Sequence, residues 1–469
     1  HTHAWLNVAT YTEAIAAEHP DREALVFRDR RFTWDQVAQR SRRLANVLAS
    51  AGLGVRGEFG TVPRWQSVHD QVALYLHNGN EYLEGMLGAW KARCAPFNVN
   101  YRYVAEELTY LIDDASARAV IYHECFAPVL AEVLGALAEP PALLLQVADG
   151  SGNDLLPGAA DYEEALAGAA SDLPVELRRG WSGDDLYLCY TGGTTGMPKG
   201  AMWRQEDFLV SALGVRRRDG TDYGDLAELV ADAHGAVRAL PAAPLMHGAA
   251  HWNALSCWSK GGCVVIQDRP EHFDAADVLD SAVRHGATSL LIVGDPMARP
   301  LIDELEARPR PLDKMRHILS GGAVLSPNSK ARLQRLLPEV TILDVLGSTE
   351  SGRQGVATTA PGGDTSASFK PSATTTVLAA DLSRRLDAHD PGVGWLAQGG
   401  RVPLGYLGDP EKTDSTFPEI AGERFAVAGD RARWLPDGTV ELLGRDSVCI
   451  NTGGEKVFAE EVETAIKTH

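Results

Sequence analysis

Cysteine and long apolar segments are both scarce in this 469-residue sequence. Its six cysteines include no CxxC pair, so a disulfide framework or a cysteine-ligated zinc site is not expected. No apolar run reaches the ~18 residues that a membrane-spanning helix needs. The N-terminus shows no signal-peptide pattern. We therefore expect a cytoplasmic protein with reduced cysteines and no membrane span.

Positive charge is also in short supply. The chain has 44 Lys and Arg residues against 63 Asp and Glu residues, a formal net charge of −19. This balance argues against nucleic acid or an anionic membrane surface as a partner. It leaves open a small anionic ligand, which needs only a local cation or a group of backbone amides.

Short apolar strands and amphipathic helices alternate in two series, at about 72–137 and 263–347. This alternation is typical of parallel sheets with helices on both faces. From about residue 355 glycine, serine, threonine and proline become dense, and turns such as "PDG" (436–438) separate short strands. The sequence predicts an α/β protein with two doubly wound subdomains and a smaller β-rich subdomain.

One glycine motif does not indicate a nucleotide site. "GLGVRG" (52–57) matches GxGxxG, but a helical pattern precedes it where the dinucleotide motif needs a strand. These glycines are expected to end a helix and begin a loop.

The stretch "YTGGTTGMPKG" (190–200) predicts a phosphate-binding loop, although it lacks the GxxxxGK[ST] order. Its glycines allow backbone N–H groups to turn toward an anion, and threonine hydroxyls and a lysine can complete the cradle. A flexible surface turn is the alternative, but such a turn needs fewer glycines. The residues concerned are Thr191, Gly192, Gly193, Thr194, Thr195, Gly196 and Lys199.

This loop closely resembles the signature of the adenylate-forming superfamily, which includes acyl-CoA synthetases, amino-acid adenylation domains and beetle luciferases. Four other segments resemble the family's remaining motifs in the family's order: "LSGGAVLS" (319–326), "LDVLGSTESG" (343–352), "AGDRARWLPDG" (428–438) and "LLGRDSVCINTGGEKVFAEEVE" (442–463). Three more segments are similar to bacterial acyl-CoA synthetases for steroid side chains and other branched or long acids: "NVNYRYVAEEL" (98–108), "MWRQEDF" (202–208) and "WLAQGGRVPLGYLGD" (395–409). The resemblance covers nearly the whole chain.

The resemblance implies roles for the matched residues. Asp430 and Arg445 would hold the ribose, and Asp344 would accept a hydrogen bond from the adenine amino group. Glu350 would ligate Mg²⁺, a hard cation that prefers carboxylate oxygen, and Thr349 would bind a phosphate oxygen. Other implied nucleotide contacts are Gly321, Gly322, Ala323, Leu346, Gly347 and Ser348, with Gly453 and Gly454 implied for the coenzyme A channel. Leu346 replaces an aromatic residue of many relatives, and Ser447 replaces a charged hinge residue.

The implied reaction has two steps, with ATP, Mg²⁺ and coenzyme A as cofactors. A carboxylic acid attacks the α-phosphate of ATP, and the coenzyme A thiol then displaces AMP. The implied catalytic residues are Lys199, Thr195, Glu350 and His247. His247 would orient the substrate carboxylate, although a core histidine is an equal alternative. A homodimer is left open.

The substrate class is predicted from four segments that flank the carboxylate site in relatives: 246–254, 293–300, 321–323 and 345–352. They are rich in glycine, alanine and aliphatic residues, which favours a bulky apolar acid over acetate. Two other functions remain open: an adenylation domain that loads a carrier protein, and a non-catalytic nucleotide-binding protein. No acidic residue lies between Met246 and Trp252 to pair with a substrate ammonium group, which disfavours an amino-acid substrate.

The resemblance also implies a domain boundary. Residues 1–445 are expected to form the N-terminal adenylate-forming domain. Residues 446–469 are expected to hold the hinge and the opening of a small α+β C-terminal domain, either truncated or continuing beyond the residues given. By the family's spacing its catalytic lysine falls after His469.

Overall fold

The computed structural model describes residues 4–192, 196–365, 368–390, 392–445, 449–451 and 456–458. The strands are β1 Glu23–Phe27, β2 Arg30–Thr33, β3 Gln71–Tyr75, β4 Ala95–Asn98, β5 Ala117–His123, β6 Leu143–Val147, β7 Ala160–Asp161, β8 Leu186–Gly192, β9 Pro198–Arg204, β10 Arg238–Pro241, β11 Cys263–Ile266, β12 Ser289–Ile292, β13 His317–Gly321, β14 Thr341–Ser348, β15 Gly352–Thr359, β16 Lys370–Pro371, β17 Thr375–Leu378, β18 Arg385–Leu386, β19 Gly394–Gln398, β20 Gly405–Tyr406, β21 Glu419–Ile420, β22 Glu423–Arg424, β23 Asp430–Trp434, β24 Val440–Arg445, β25 Cys449–Asn451 and β26 Lys456–Phe458.

The helices are α1 Val8–Glu18, α2 Trp34–Ser50, α3 Asn80–Lys91, α4 Ala105–Asp114, α5 Ala127–Ala136, α6 Tyr162–Gly168, α7 Val175–Arg179, α8 Gln205–Ser211, α9 Leu226–Ala231, α10 Gly248–Ser259, α11 Ala275–Arg284, α12 Gly294–Ala307, α13 Pro327–Leu336 and α14 Pro410–Thr416. A single 3₁₀ turn, Glu124–Phe126, precedes α5. No helix in the described part of the chain is long and apolar enough to cross a membrane.

The first series of strands forms a five-stranded parallel sheet in the order β4-β3-β5-β6-β7. Strands β3 and β4 are buried along their whole length. Burial on both faces explains their continuous apolar runs, as expected where helices cover both sides of a parallel sheet.

The second series forms a nine-stranded sheet in the order β16-β15-β14-β13-β12-β10-β11-β1-β2. Its six central strands are parallel, whereas β2, β15 and β16 are antiparallel edges. Strand β1 lies beside β11, with Leu25 opposite Val264. The sheet therefore includes an N-terminal hairpin that the alternation of segments 263–347 did not predict.

The β-rich part contains an antiparallel sheet in the order β18-β17-β19-β23-β24. A separate three-stranded sheet, β20-β9-β8, carries the glycine loop between β8 and β9. The predicted fold class, two parallel-sheet subdomains with a smaller β-rich one, is confirmed. The GxGxxG segment is also as predicted: α2 ends at Ser50, and Gly52 follows with a φ of 80°.

Candidate functional site

The candidate site begins at the carboxyl edge of the nine-stranded sheet, where ligands bind in open parallel sheets. Gly321 at the end of β13 lies opposite Val345 in β14, which brings the glycine turn 321–323 beside the start of the 344–350 motif. A Cβ atom at Gly321 would lie 3.4 Å from the Val345 carbonyl oxygen, and Gly322 has a φ of 85°. Glycine at these positions allows the two backbones to approach closely.

The β14–β15 hairpin presents Thr349 and Glu350. A Cβ atom at Gly347 would lie 2.3 Å from the Gly352 carbonyl oxygen, so the hairpin needs glycine at position 347. The Ser348 amide donates to Oγ of Ser351 at 3.1 Å, which closes the turn. The turn therefore holds the backbone of the two predicted site residues in one conformation.

Glu350 connects three distant parts of the chain. Oγ1 of Thr191 in the glycine loop donates to Oε1 of Glu350 at 3.2 Å, and the Tyr406 hydroxyl donates to the same oxygen at 2.9 Å. These bonds orient the carboxylate beside the loop. Among described residues no group of three or more His, Cys, Asp or Glu side chains could hold a metal ion. A single oriented carboxylate nevertheless fits Mg²⁺, which takes its other ligands from phosphate and water.

Lys199 lies at the start of β9 on the other side of the loop. Its ammonium group forms a salt bridge with Asp409, whose carboxylate also caps α14 by accepting the Lys412 amide at 2.9 Å. Burial is the largest single influence and would raise the pKa of Asp409, but the hydrogen bonds from Lys199 and the Lys412 amide, together with the charges of both lysines, outweigh it and hold that pKa below its ordinary value. The Asp409 carboxyl group is therefore ionised at neutral pH.

A second carboxyl group, Asp114 at the end of α4, lies near this lysine. It accepts hydrogen bonds from the hydroxyls of Tyr190 at 2.7 Å and Tyr110 at 3.4 Å. Burial raises the pKa of Asp114, although Tyr190 and the charge of Lys199 oppose the rise. Lys199 thus has a carboxylate in direct contact, Asp409, and a second acidic group nearby, Asp114, that would compete with a phosphate for it.

Three polar neighbours of the loop, Asp114, Tyr406 and Asp409, are not among the residues that the sequence predicts. Tyr406 and Asp409 lie inside "WLAQGGRVPLGYLGD", which indicates only similarity to bacterial acyl-CoA synthetases. That segment could have indicated that the loop has polar neighbours from the β-rich part. Asp114 lies at the end of a helix and follows no motif, so nothing local indicates its role.

The turn that holds His247 abuts the hairpin. A Cβ atom at Gly248 would lie 3.7 Å from Oγ1 of Thr349. Asn98 donates to the Met246 carbonyl at 2.7 Å, and the Leu245 amide donates to Oδ1 of Asn78 at 2.6 Å. These two buried asparagines tie the turn to the first sheet and fix its position next to Thr349.

His251, one turn into α10, is buried and neutral. Its Nδ1–H donates to the Leu245 carbonyl at 2.8 Å, and its Nε2 accepts the Tyr187 hydroxyl at 2.5 Å. The same hydroxyl accepts Trp252 Nε1–H at 2.7 Å. Burial lowers the pKa of His251 to about 4, because the imidazolium would lose its hydration.

We expect His251 to make stability depend on pH. Its folded-state pKa of about 4 lies below the ordinary value of 6.5, so the unfolded chain binds more protons between those values. Its contribution is complete above pH 6.5 and is lost as pH falls, by about 2 kcal/mol between pH 7 and pH 5. The difference in free energy of unfolding between wild type and His251→Gln, measured by denaturant unfolding, should therefore be smaller by that amount at pH 5 than at pH 7. His272→Gln, at an exposed histidine, is the control, and a difference that is constant with pH would contradict the assignment.

Two of the predicted adenine contacts have protein partners. Asp344 is buried and forms a salt bridge with Lys330, with 3.1 Å between Oδ2 and Nζ. Burial raises the pKa of Asp344, and Lys330 opposes the rise. Leu346 packs against an apolar cluster that includes Val377 and Val440. Their roles toward adenine remain predictions.

The remaining predicted residues are placed only in part. Asp430 lies opposite Arg445 in the β23–β24 pair, and Gly196 has a φ of 91°. Ala323 packs against Gly294. A Cβ atom added to Gly294 would lie 2.8 Å from Cβ of Ala323. Outside the described residues lie Gly193, Thr194, Thr195, Gly453 and Gly454, and only the backbone of Arg445 is described.

Comparison with known proteins gives the class to which this fold and site belong. A family model described as "AMP-binding enzyme" matches residues 12–383, which is most of the chain. The chain belongs to the AMP-binding enzyme family. The resemblance inferred from the five motifs is thereby confirmed.

The relatives are more specific. Over 467 residues the chain is 46% identical to the medium-chain acyl-CoA ligase Mig of Mycobacterium avium, covering 98% of this chain and 84% of the relative. It is 37% identical to the 3-oxocholest-4-en-26-oate–CoA ligase of Rhodococcus rhodochrous, covering 99% and 82%. Both relatives are acyl-CoA ligases by name, as the subgroup motifs predicted.

Solved structures confirm the fold. The anthranilate CoA ligase AuaEII, solved with anthranoyl-AMP, superposes with a TM-score of 0.77 at 20% identity, covering 99% of this chain and 83% of that one. A long-chain-fatty-acid CoA ligase described as putative, from Rhodopseudomonas palustris, gives 0.74 at 23% identity, covering 94% and 99%.

Proposed function

We propose that this protein is an acyl-CoA ligase that forms AMP. A carboxylate oxygen of the acid bonds to the α-phosphorus of ATP while the bond to the β-phosphate oxygen breaks, which releases pyrophosphate. The coenzyme A thiolate then attacks the acyl carbon and displaces AMP. The observation that supports this best is the Glu350 carboxylate, oriented by Thr191 and Tyr406 beside a glycine loop that carries Lys199.

The residues of the loop act through position and charge, because phosphoryl transfer leaves the protein little covalent chemistry to perform. Lys199 would exchange its salt bridge to Asp409 for phosphate oxygens, where negative charge builds up as pyrophosphate leaves. Thr191 and Thr349 would donate hydroxyl hydrogen bonds to phosphate oxygens. Glu350 would hold Mg²⁺, which neutralises part of the triphosphate charge when bound.

The nucleoside would lie along the carboxyl edge of the nine-stranded sheet. The turn 321–323 and Leu346 would cover the adenine, with Asp344 toward its amino group. Asp430 and Arg445 would hold the ribose. Coenzyme A would approach past Gly453 and Gly454.

The acid would enter beside the His247 turn. Gly248 lies next to Thr349 without a side chain of its own, and the neighbouring residues Met246 and Ala250 are apolar. Apolar walls with few polar groups suit a hydrocarbon substrate. The names of the relatives support the same class, since one is a medium-chain and another a steroid side-chain acyl-CoA ligase.

We expect medium-chain, branched or steroid side-chain acids to be preferred over acetate and over free amino acids. ATP–pyrophosphate exchange measured over a panel of acids tests the first step, and thioester formation with coenzyme A tests the second. The expected preference in kcat/KM is at least about tenfold, since each buried methylene contributes roughly 0.8 kcal/mol.

Three results of this panel would contradict the proposal. Exchange only with amino acids would favour an adenylation domain that loads a carrier protein. ATP binding without exchange for any acid would favour a non-catalytic nucleotide-binding protein. A preference for acetate would contradict the substrate class alone.

A further inference from the structure

Arg353 is a half-buried arginine without an anionic partner among the described residues. It lies in β15, opposite Gly347 of the β14–β15 hairpin. Its Nε is shut off from solvent and has no hydrogen-bond partner in the described part of the chain. Burial lowers the pKa of Arg353, and no neighbouring acid opposes this effect. A polar N–H that is shut off from solvent is ordinarily hydrogen-bonded, so the Nε–H of Arg353 calls for an explanation.

Other partly buried arginines of the chain show what a structural role looks like. Arg40 pairs with Glu84 at 2.6 Å, and Arg238 pairs with Glu23 at 2.8 Å. Arg424 pairs with no carboxylate in the described residues, but its Nη2 donates to the carbonyls of Pro403 and Leu404 at 2.8 and 2.9 Å. None of these arrangements is present at Arg353.

A second unpartnered polar group approaches from α10. Oδ1 of Asn253 is shut off from solvent and has no hydrogen-bond partner among the residues described. Three residues further along this helix, Ser256 Oγ donates to the Leu213 carbonyl at 3.1 Å. Gly214 follows Leu213 in the chain, and a Cβ atom added to Gly214 would lie 3.4 Å from Nη1 of Arg353. Ser256 of α10 and Arg353 of β15 therefore both approach the loop at residues 213–214, and Asn253 lies one helical turn before Ser256.

This region is continuous with the carboxylate end of the candidate site. Along α10, Ala249, Trp252, Asn253 and Ser256 lie on one half-buried face, while residues on the other faces are buried. The face begins at Gly248, which approaches Thr349, and reaches the loop at Ser256. At 1.5 Å per residue Asn253 lies about 7 Å, and Ser256 about 12 Å, along the helix from Gly248.

This region is also partly exposed to solvent. Ser211 and Trp252 are half-buried, and Gly214 is exposed. A Cβ atom at Gly352 would lie 3.2 Å from Oγ of Ser211, so the hairpin packs directly on the end of α8. The region is thus partly open to solvent and lies where the hairpin, the end of α8 and the half-buried face of α10 come close together.

We propose that Arg353 and Asn253 form a distal subsite that binds an oxygen function of the acid, a ketone or a second carboxylate remote from the reacting carboxyl group. This inference rests on the proposed acyl-CoA ligase function. Arg353 offers charged donors to the ketone or carboxylate oxygen, and the Asn253 amide would donate to it through Nδ2, since Oδ1 is an acceptor. The subsite takes no part in bond making, so it determines specificity.

The test is the ratio of kcat/KM for matched acids in ATP–pyrophosphate exchange. Octanoate, decanoate and dodecanoate are compared with their terminal-oxo and dicarboxylate counterparts, for wild type, Arg353→Met and Asn253→Leu. Wild type should prefer the oxygenated member of at least one pair by about tenfold. Arg353→Met should lower kcat/KM for that member by about 10–100-fold, the usual range for a hydrogen bond to a charged group, and change the plain acid by less than about threefold.

Arg384→Met is the matched control, because Arg384 is exposed and pairs with Asp390 at 2.8 Å. Arg384→Met should leave kcat/KM unchanged for both members of every pair. Thermal unfolding and ATP affinity report whether each variant is folded. If Arg353→Met does not fold, the wild-type ratio and Asn253→Leu decide.

Two results overturn the subsite and leave the enzyme function intact. The first is that wild type has equal kcat/KM for plain and oxygenated acids at every length. The second is that Arg353→Met lowers kcat/KM equally for both members of a pair. Exchange with none of the acids would overturn the acyl-CoA ligase proposal, and the subsite with it.

Discussion

Replacing Lys199 by methionine should lower the rate of ATP–pyrophosphate exchange by about 10²–10³-fold while changing ATP affinity by less than about tenfold. The reason is that charge on the departing pyrophosphate is greater in the transition state than in bound ATP, so a lysine at the loop contributes more to the rate than to binding. Single-turnover adenylate formation and nucleotide titration measure the two effects separately. Lys199→Arg, which keeps the charge, should recover part of the rate.

Asp409 makes a second control possible. In Lys199→Met its half-buried carboxylate loses the lysine partner, which could itself disturb the loop. The double variant Lys199→Met with Asp409→Asn removes both charges and keeps an acceptor for the Lys412 amide. It should be as slow as the single variant. Recovery of the rate would mean that the stranded carboxylate, and not the missing lysine charge, caused the loss.

Glu350→Gln should lower exchange by about 10²–10³-fold and should raise the Mg²⁺ concentration needed for half-maximal rate. Glutamine keeps an oxygen that can accept from Thr191 and Tyr406, so the hairpin should stay in place while the negative charge is lost. Exchange rates measured against free Mg²⁺ concentration test this effect.

Tyr406→Phe is the matched control for Glu350. It removes one hydrogen bond to the carboxylate and leaves the charge, so a loss of less than about tenfold is expected. If Glu350→Gln has the wild-type rate at every Mg²⁺ concentration, Glu350 has no role in binding the metal. If Tyr406→Phe is as slow as Glu350→Gln, orientation of the carboxylate matters as much as its charge.

Local patterns predicted much of the fold. Alternating apolar strands and amphipathic helices indicated both parallel sheets, because the two periodicities are properties of short segments. The "PDG" turn and the dense small residues indicated the β-rich part. The N-terminal hairpin of β1 and β2 was not predicted as part of the second sheet, since Leu25 pairs with Val264 across more than half of the chain.

The same division holds for the site. The glycine loop, the 343–352 motif and Asp430 could be found because each motif is contiguous in sequence. The surroundings of Lys199 could not be found, because Asp409 lies 210 residues away and Asp114 belongs to a different sheet's helix. In the sequence Arg353 and Asn253 are an ordinary charged and an ordinary polar residue, and only the structure shows that Nε of one and Oδ1 of the other are shut off from solvent without a partner among the described residues.

The sequence by itself determined the fold class and the family, and it predicts the residues that would contact nucleotide, because those features depend on local periodicity and on motifs of a few residues. The tertiary structure alone decided which side chains meet: Thr191 and Tyr406 on Glu350, and Asp409 on Lys199. These contacts join residues 56 to 210 positions apart. Spacing along the chain does not specify such pairs, since they arise only when separate sheets pack and bury polar groups that must then be hydrogen-bonded.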